Sequence, residues 1–345
     1  MLSAPWRITL DTNPDDCNLK CVMCDRHSPY STVPVPEPKA RRRMPPEVFR
    51  ALFGELAGGP FRELVTTSMG EPLLYEHMEE IVELCRRQGV RLNLTTNGTF
   101  PRGGAEWWAR RLVAAGADIK ISLNAGSRDA LGSIETGADL DRILDNIRTL
   151  VALRDAAPGS GKERSRITIK VTFLEATVTQ LPELVELAGS LGVDRVRGSH
   201  LLSVFPQTDS LSLARTPDSR SRFNSLIGRA HEVARRIAAA RGRPFELSNF
   251  LPFGAETRRR PCPFLGQEAW IAPDGAFQPC CIPESLRAGL GEFGRVTEGG
   301  LLPIWRGAPY RQFLAGYEGN PLCRDCGKRR AGLQEDQAPP EAYEK

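Results

Sequence analysis

The sequence has 345 residues, and its 46 lysines and arginines against 42 aspartates and glutamates leave a formal net charge of +4. A nucleic-acid-binding chain normally carries a larger or more clustered basic excess, so this balance argues against nucleic acid as a partner. Hydrophobic residues make up 41% of the chain, which is enough for a buried core and argues against wholesale disorder. We see neither a membrane-spanning stretch nor a signal-peptide pattern, and we expect a cytoplasmic protein without a membrane partner.

Strand-like and helix-like stretches alternate along the first 250 residues. Strands are predicted at 6–13, 62–68, 90–96, 118–124, 166–174 and 193–199, with a further strand at 243–249. Helices are predicted at 47–57, 75–88, 105–115, 138–154 and 180–191, and a long amphipathic helix at 217–241. Six strand–helix units fall short of the eight that a closed barrel needs. The pattern therefore predicts an α/β fold with a partial, TIM-like (β/α)6 barrel at 1–254.

Two regions depart from this alternation. The proline-rich stretch 28–46 is predicted to be a surface loop, and its basic triplet Arg41, Arg42 and Arg43 a solvated loop face. From about residue 255 the chain is rich in glycine, proline and cysteine, which favours a small domain at 255–330 held by metal ligation. The polar stretch 331–345 is expected to be disordered.

Cys17, Cys21 and Cys24 follow the first predicted strand with the spacing C-x3-C-x2-C. A structural zinc site needs four protein ligands, and only His27 lies near enough in the sequence to be the fourth. A [4Fe–4S] cluster held by three thiolates keeps one iron open for a substrate. The spacing and its place at the end of a barrel strand resemble the radical S-adenosylmethionine superfamily.

This resemblance implies a mechanism and a set of cofactor contacts. The reduced cluster would cleave S-adenosylmethionine to a 5′-deoxyadenosyl radical, which abstracts a hydrogen from an unactivated carbon. Apolar surface for the adenine would come from Met23, where many relatives have an aromatic residue. The resemblance places the remaining cofactor contacts in three turns at strand ends, formed by Gly70, Glu71 and Pro72, by Thr96 and Asn97, and by Ser122 and Asn124.

A second group of cysteines lies near the C-terminus. Cys262 and Cys280 are followed by Cys323 and Cys326 as a C-x2-C pair, and four thiolates make a complete site for zinc or for a [4Fe–4S] cluster. The surrounding segments resemble the SPASM extension or its shortened twitch form, which implies one auxiliary [4Fe–4S] cluster here.

Two cysteines remain outside both groups. Cys85 lies in a helical pattern and is predicted to be a small core residue. Cys281 is adjacent to an auxiliary ligand, and some radical epimerases return a hydrogen atom to the substrate from such a thiol. Adjacent cysteines also occur in relatives with other activities, so both interpretations of Cys281 stay open.

Three polar residues near the ends of the last strands are candidates for substrate contact. The guanidinium of Arg197 is suited to bind a phosphate or carboxylate of the substrate. His200 is suited to act as a general acid or base, and Glu175 is suited to bind a hydroxyl or amine. Two of the three also have an ordinary explanation, since Arg197 could lie on the outer surface and Glu175 could be a loop carboxylate.

Only sixteen residues precede Cys17, which favours a small-molecule substrate over a peptide. The family resemblance implies an amino sugar, aminocyclitol or sugar nucleoside in natural-product biosynthesis, with dehydrogenation, dehydration, epimerisation or decarboxylation as the reaction. An electron donor such as flavodoxin or ferredoxin is the expected partner. Two alternatives stay open, a maturase that epimerises or cross-links a ribosomal peptide and a zinc-stabilised binding protein without enzymatic activity.

Overall fold

The computed structural model describes residues 2–66, 69–157, 164–254, 261–282 and 284–324, together with Cys326 and Arg329. The end of the predicted strand at 62–68, the predicted domain boundary near 255 and the tail 331–345 lie outside the described residues.

One sheet organises the described chain. The strands are β1 (Arg7–Leu10), β2 (Lys20–Cys21), β3 (Glu63–Val65), β4 (Arg91–Thr96), β5 (Asp118–Ser122), β6 (Glu135–Thr136), β7 (Arg166–Phe173), β8 (Arg195–His200), β9 (Glu246–Ser248), β10 (Glu268–Ile271) and β11 (Phe277–Gln278). Nine of these strands lie in the order β11-β10-β1-β3-β4-β5-β7-β8-β9, and β2 pairs separately with β6. The main sheet is parallel except for β11, as expected for the predicted partial barrel.

Helices connect the parallel strands. They are α1 (Pro46–Glu55), α2 (Met78–Gln88), α3 (Gly104–Ala114), α4 (Arg128–Ile134), α5 (Leu140–Ala156), α6 (Leu181–Ser190), α7 (Pro217–Arg241), α8 (Glu284–Arg287), α9 (Leu301–Arg306), α10 (Ala308–Gly316) and α11 (Pro321–Arg324). The six predicted helices are present with similar bounds, because strong signals end them. Thr216 caps α7 by accepting a hydrogen bond from the Ser219 amide, and Gly242 ends it in the left-handed conformation. Among the described residues, no helix is long and apolar enough to cross a membrane.

The two faces of the sheet differ in polarity. One face carries buried aliphatic side chains, and Ile121 lies beside Ile143 of α5, which identifies this face as the one covered by helices. The other face lines the barrel interior and is polar near the strand starts. There the Arg7 guanidinium contacts Glu63 at 2.8 Å, and Lys120 donates to Asn93 at 2.7 Å. Strand alternation thus separates a hydrophobic core from a polar interior.

The C-terminal segment extends the barrel sheet. Strand β10 pairs in parallel with β1, with Arg7 opposite Glu268 and Leu10 opposite Ile271. The indole of Trp305 is buried in the same hydrophobic cluster as the barrel residues and donates to the Leu2 carbonyl at 3.0 Å. The next strand, β11, pairs antiparallel with β10, so that the two form a hairpin.

Candidate active site

Three thiols lie on the loop that follows β1. Cys17, Cys21 and Cys24 are each half-buried, and Cys21 is held in β2 opposite Glu135 of β6. The Cys24 amide donates to the Cys21 carbonyl at 3.1 Å, which folds the loop back on itself. A short segment between a barrel strand and a two-stranded ribbon therefore fixes the three thiols at the carboxyl end of the sheet.

Electrostatics at this loop favour binding of a cationic group. Burial raises the pKa of Cys17 to about 11, and the nearby Glu71 carboxylate and Cys24 thiol add to the effect. The pKa of Cys21 is also raised by burial, then by Glu135, Cys24 and Cys17. The three thiols thus lie close enough to repel one another as thiolates, and iron ions would remove that repulsion.

The basic triplet in the proline-rich loop is not a solvated face, contrary to the prediction. Arg42 forms an ion pair with Asp15 at 2.9 Å, and Arg43 forms one with Asp16 at 2.7 Å. Burial opposes ionisation of Asp15, but hydrogen bonds from Arg42 and Arg26 hold its pKa below the usual range. The triplet therefore clamps the loop 28–46 against the two carboxylates that directly precede Cys17.

The turn at Gly70 packs against the same cysteine loop. A Cβ atom at Gly70 would lie 2.3 Å from the carbonyl oxygens of both Asn13 and Asp16, so only glycine fits. The Glu71 amide donates to the Asp16 carbonyl at 2.7 Å, and Asn13 Nδ2 donates to the Glu71 carbonyl at 2.9 Å. This close approach fixes the predicted cofactor turn beside the predicted cluster ligands.

The carboxylate of Glu71 connects the turn at Thr96 and Asn97 to the Gly70 turn and the cysteine loop. Its Oε1 accepts from Thr96 Oγ1 at 2.7 Å, and its Oε2 accepts from the Asn97 amide at 2.7 Å. Asn97 in turn donates from Nδ2 to Asn18 Oδ1 at 2.9 Å. The carboxylate of Glu71 is thus hydrogen-bonded within the protein and positions the surrounding turns, while its contact with the cofactor stays a prediction.

The remaining predicted cofactor residues lie at two further strand ends or on the cysteine loop. Ser122 ends β5, and Asn124 follows it, where its Oδ1 accepts from the Thr172 amide and its Nδ2 donates to Glu135 Oε1 at 2.7 Å. Met23 is half-buried against the hydrophobic core, and Pro72 is buried at the start of a 3-10 turn. Their contacts with a cofactor stay predictions.

The interior face of the barrel is also polar near the carboxyl ends of the strands. Ser122, Lys170 and Arg197 form one row across β5, β7 and β8 in the strand register. Arg197 alternates with Val196 of the helix-covered face, so it lies on the interior side and not on the outer surface. This placement leaves the predicted substrate contact of Arg197 open as a proposal.

His200 and Glu175 lie elsewhere than the predicted catalytic roles require. The imidazole of His200 packs against Phe173, Phe223 and Phe253, with ring centroids 5.3, 5.0 and 4.6 Å away. It shares the face of Val196, so strand alternation puts it between the sheet and α7. The Glu175 carboxylate forms an ion pair with Arg222 of α7. Both side chains therefore contact α7, in contrast to the prediction.

The second group of thiols also comes together. Burial raises the pKa of Cys280 to about 12, and Cys262, Cys323 and Cys326 each add to this increase. The Cys262 amide donates to the Tyr317 hydroxyl at 3.1 Å. Cys281 is half-buried beside Cys280, and its role as a hydrogen-atom donor stays a prediction. Cys85 is fully buried in α2, as predicted for a core residue.

The donor sets of the two sites fit iron–sulfur clusters. Within the described residues, no three histidine, cysteine, aspartate or glutamate side chains are arranged to hold one metal ion. Three thiols at a [4Fe–4S] cluster leave one iron open, whereas four thiols complete a site. Cys17, Cys21 and Cys24 thus suit an open cluster, and the four cysteines of the second group suit a closed one.

Comparison with known families agrees with these two sites. The model described as the radical SAM superfamily matches residues 14–155, and the model for an iron–sulfur cluster-binding domain, SPASM, matches residues 262–327. The chain therefore contains a radical SAM domain followed by a SPASM domain. Radical SAM proteins are enzymes that use a [4Fe–4S] cluster with S-adenosylmethionine, and the SPASM domain adds auxiliary iron–sulfur binding. The fold predicted from the strand–helix alternation and the cofactors predicted from the two cysteine groups are therefore confirmed for this radical SAM/SPASM protein.

Relatives of known sequence share most of its length. The tungsten-containing aldehyde ferredoxin oxidoreductase cofactor-modifying protein of Pyrococcus furiosus is 24% identical over 91% of this chain and 85% of its own. The PqqA peptide cyclase of a Methylobacterium species is 24% identical over 89% of this chain and 76% of its own.

Solved structures share the fold at low identity. The enzyme anSMEcpe with bound AdoMet superposes with a TM-score of 0.66 over 90% of this radical SAM chain and 79% of its own, at 15% identity. BtrN in complex with AdoMet and 2-DOIA gives a TM-score of 0.50 over 98% and 99% of the two chains, also at 15% identity.

Several site residues have no motif in the sequence. Glu135 is buried opposite Cys21, and only the pairing of β2 with β6 reveals it. The ion pairs of Asp15 and Asp16 could have been predicted, because an acidic pair beside Cys17 complements the basic triplet at 41–43. Asp11, one residue past β1, also belongs to no sequence motif.

Proposed function

We propose that this radical SAM/SPASM enzyme abstracts hydrogen from a small polar metabolite, an amino sugar, aminocyclitol or sugar nucleoside. The observation that carries the proposal is the convergence of three thiols with the Gly70 and Asn97 turns at the mouth of a polar barrel. The row of Ser122, Lys170 and Arg197 supplies hydrogen-bonding groups that suit a hydroxylated substrate.

The roles of the residues follow from their positions. Cys17, Cys21 and Cys24 would hold the catalytic cluster, and Cys262, Cys280, Cys323 and Cys326 the auxiliary one. When bound, the catalytic cluster and S-adenosylmethionine supply a hydrogen-abstracting 5′-deoxyadenosyl radical. Glu71 fixes the surrounding turns, and the loop 28–46 covers the cysteine loop, so that the chain positions the reactants and excludes water. A reductant such as flavodoxin or ferredoxin would deliver the electron.

Anaerobic reconstitution tests this proposal in two stages. We expect about eight irons per chain, from two [4Fe–4S] clusters, and 5′-deoxyadenosine when S-adenosylmethionine and dithionite are added. Incubation with deuterated amino sugars, aminocyclitols and nucleosides should then transfer deuterium into 5′-deoxyadenosine for at least one compound. A protein that binds zinc without iron at Cys17, Cys21 and Cys24 would contradict the radical mechanism.

A peptide substrate is the second candidate. The alignment of the PqqA peptide cyclase over 89% of the chain favours it. A peptide encoded by a neighbouring gene would then transfer deuterium to 5′-deoxyadenosine, while the small polar compounds would not. The same assay therefore separates the two substrate classes.

A further inference from the structure

A buried carboxylate lies at the mouth of the barrel outside every motif described so far. Asp11 follows β1, and its amide continues the ladder by donating to the Ile271 carbonyl at 3.0 Å. It alternates in register with Arg7 and Thr9, both of which contact Glu268 inside the barrel. Asp11 therefore stands at the carboxyl end of the same interior face, where barrel enzymes bind their substrates.

The Asp11 carboxylate lacks a full set of partners. Only 4% of the residue is exposed, and its Oδ1 has no hydrogen-bond partner in the described structure. A buried acceptor without a donor costs about 1–3 kcal/mol, so a group that donates to this oxygen recovers that cost. Burial raises the pKa of Asp11 to about 6, although Arg287, Arg42 and a hydrogen bond from the Met69 backbone oppose the rise.

A buried guanidinium approaches Asp11 from the SPASM segment. Arg287 ends α8, donates from Nε to the Ile282 carbonyl at 2.9 Å and lies over the ring of Trp270 at 5.7 Å. Trp270 is on the interior face of β10, two positions beyond Glu268. Arg287 is 8% exposed, and its Nη2 is buried without a hydrogen-bond partner among the described residues.

Asp11 and Arg287 interact electrostatically without direct contact. Arg287 is the foremost group opposing the rise in the pKa of Asp11, yet among the described residues the two side chains are not within the 4.0 Å of an ion pair. The strand register agrees, because Arg287 lies over Trp270 and Trp270 pairs with Thr9, two residues before Asp11 on the same face. An unfilled acceptor of the barrel and an unfilled donor of the C-terminal segment thus lie in the same region.

The surrounding charges select the kind of group that fits. Arg42 and Glu284 are the other charged groups acting on Asp11, and they form an ion pair with each other. A carboxylate or phosphate would meet Asp11 and Glu284, and an ammonium group would meet Arg287 and Arg42. A neutral group that both donates and accepts, such as a hydroxyl, satisfies both unfilled atoms.

We propose that Asp11 and Arg287 together bind a hydroxyl group of the substrate, which donates to Asp11 Oδ1 and accepts from Arg287 Nη2. The pair spans the barrel and the SPASM segment, so it orients a polyhydroxylated substrate such as a sugar or cyclitol at the mouth of the barrel. This assignment rests on the proposed function and narrows its substrate class.

Binding to the reconstituted enzyme with S-adenosylmethionine and without reductant tests the pair separately from catalysis. Equilibrium dialysis would use glucosamine, 2-deoxystreptamine and cytidine as probes. We expect at least one to bind the parental enzyme, and Asp11→Asn and Arg287→Gln each to weaken its Kd about tenfold or more. The double variant should lose little beyond either single variant, because both side chains act on one hydroxyl.

Matched controls come from an exposed ion pair on the same segment. Asp274→Asn and Arg295→Gln make the same chemical changes at the pair Asp274–Arg295 and should leave the Kd unchanged. Iron content and the circular dichroism spectrum show whether each variant has folded. If Asp11→Asn does not fold, the Kd values of Arg287→Gln and of the milder variant Arg287→Lys test the proposal.

Four outcomes would overturn the proposal. The first is an unchanged Kd in the folded variants, and the second is failure of all three probes to bind the parental enzyme. The third is that deoxy analogues of the bound probe, each lacking one hydroxyl, all bind as tightly as the probe itself. The fourth is that trialanine, which has no hydroxyl side chain, binds and that its Kd is weakened equally by the Asp11 and Arg287 substitutions. A parental enzyme that makes no 5′-deoxyadenosine with reductant would instead contradict the proposed function, so the two failures are distinguishable.

Discussion

Individual cysteines in this protein differ in role because their surroundings differ. Cys17 lies with two other half-buried thiols, whereas Cys85 is buried alone in α2. We expect Cys17→Ala to abolish 5′-deoxyadenosine formation and to lower the iron content by about half, since a three-thiolate site has no spare ligand. Cys85→Ala, the same change in the core, should retain both. Chromatographic assay of 5′-deoxyadenosine and iron analysis would measure this, and parental activity in Cys17→Ala would disprove the site.

Glu71 makes the stability of the site depend on pH. Burial raises its pKa to about 7 from the ordinary 4.5, although Asn97, Thr96 and Leu73 donate to it. A carboxyl with a raised pKa contributes stability below pH 4.5 that is lost as the pH rises through about 7. The free energy of unfolding of the wild type should therefore exceed that of Glu71→Gln by more at pH 5 than at pH 8. Denaturant titrations at both pH values would measure the difference, and a constant difference would contradict the assignment.

At the scale of elements, the interior row of charges joins the strands. Asp118 of β5 contacts Arg166 of β7 at 2.6 Å, and Lys120 and Arg195 each at 3.7 Å. Removing its charge leaves three cations in the barrel interior, and breaking such a buried pair costs about 3–5 kcal/mol. Asp118→Asn should lower the free energy of unfolding by that amount in chemical denaturation. Asp141→Asn removes the exposed pair with Arg128 and should change little. Equal effects of the two variants would contradict this account.

Elements with a strong local signal were predictable, and elements that depend on distant pairing were not. Helix α7 was predicted with its observed bounds because its cap and its terminal glycine lie within the sequence itself. The ribbon β2–β6 was not predicted, because Lys20 and Cys21 pair with a segment more than a hundred residues further along the chain. The same reason explains His200, whose face depends on the register of β8. Motifs located the cofactor turns, but only packing showed that Glu71 holds them together.

At the scale of the whole molecule, the two cluster regions are parts of one packed unit. The Glu55 carboxylate at the end of α1 accepts from the Leu301 and Leu302 amides at 2.7 and 2.8 Å, which caps α9 of the SPASM segment. Hydrogen bonds to a charged group contribute about 1.5–3 kcal/mol each. Glu55→Ala should therefore increase amide hydrogen exchange in 301–316 by at least tenfold, with little change in β4 and β5. Glu47→Ala, at the exposed start of the same helix, is the control, and equal protection in both variants would refute the coupling.

The pairing of β1 with β10 also has a consequence for how the chain is made. Thr9 and Glu268 are in contact although 259 residues separate them. At a synthesis rate of about 5–20 residues per second, one edge of β1 stays without its partner strand for roughly 13–50 s after it leaves the ribosome. An unpaired edge is a template for aggregation, so a slow translation rate and chaperone capacity should limit the soluble yield of this enzyme. The strand that precedes the catalytic cysteines is thus synthesised before the other strands of this sheet and is among the last of them to be completed.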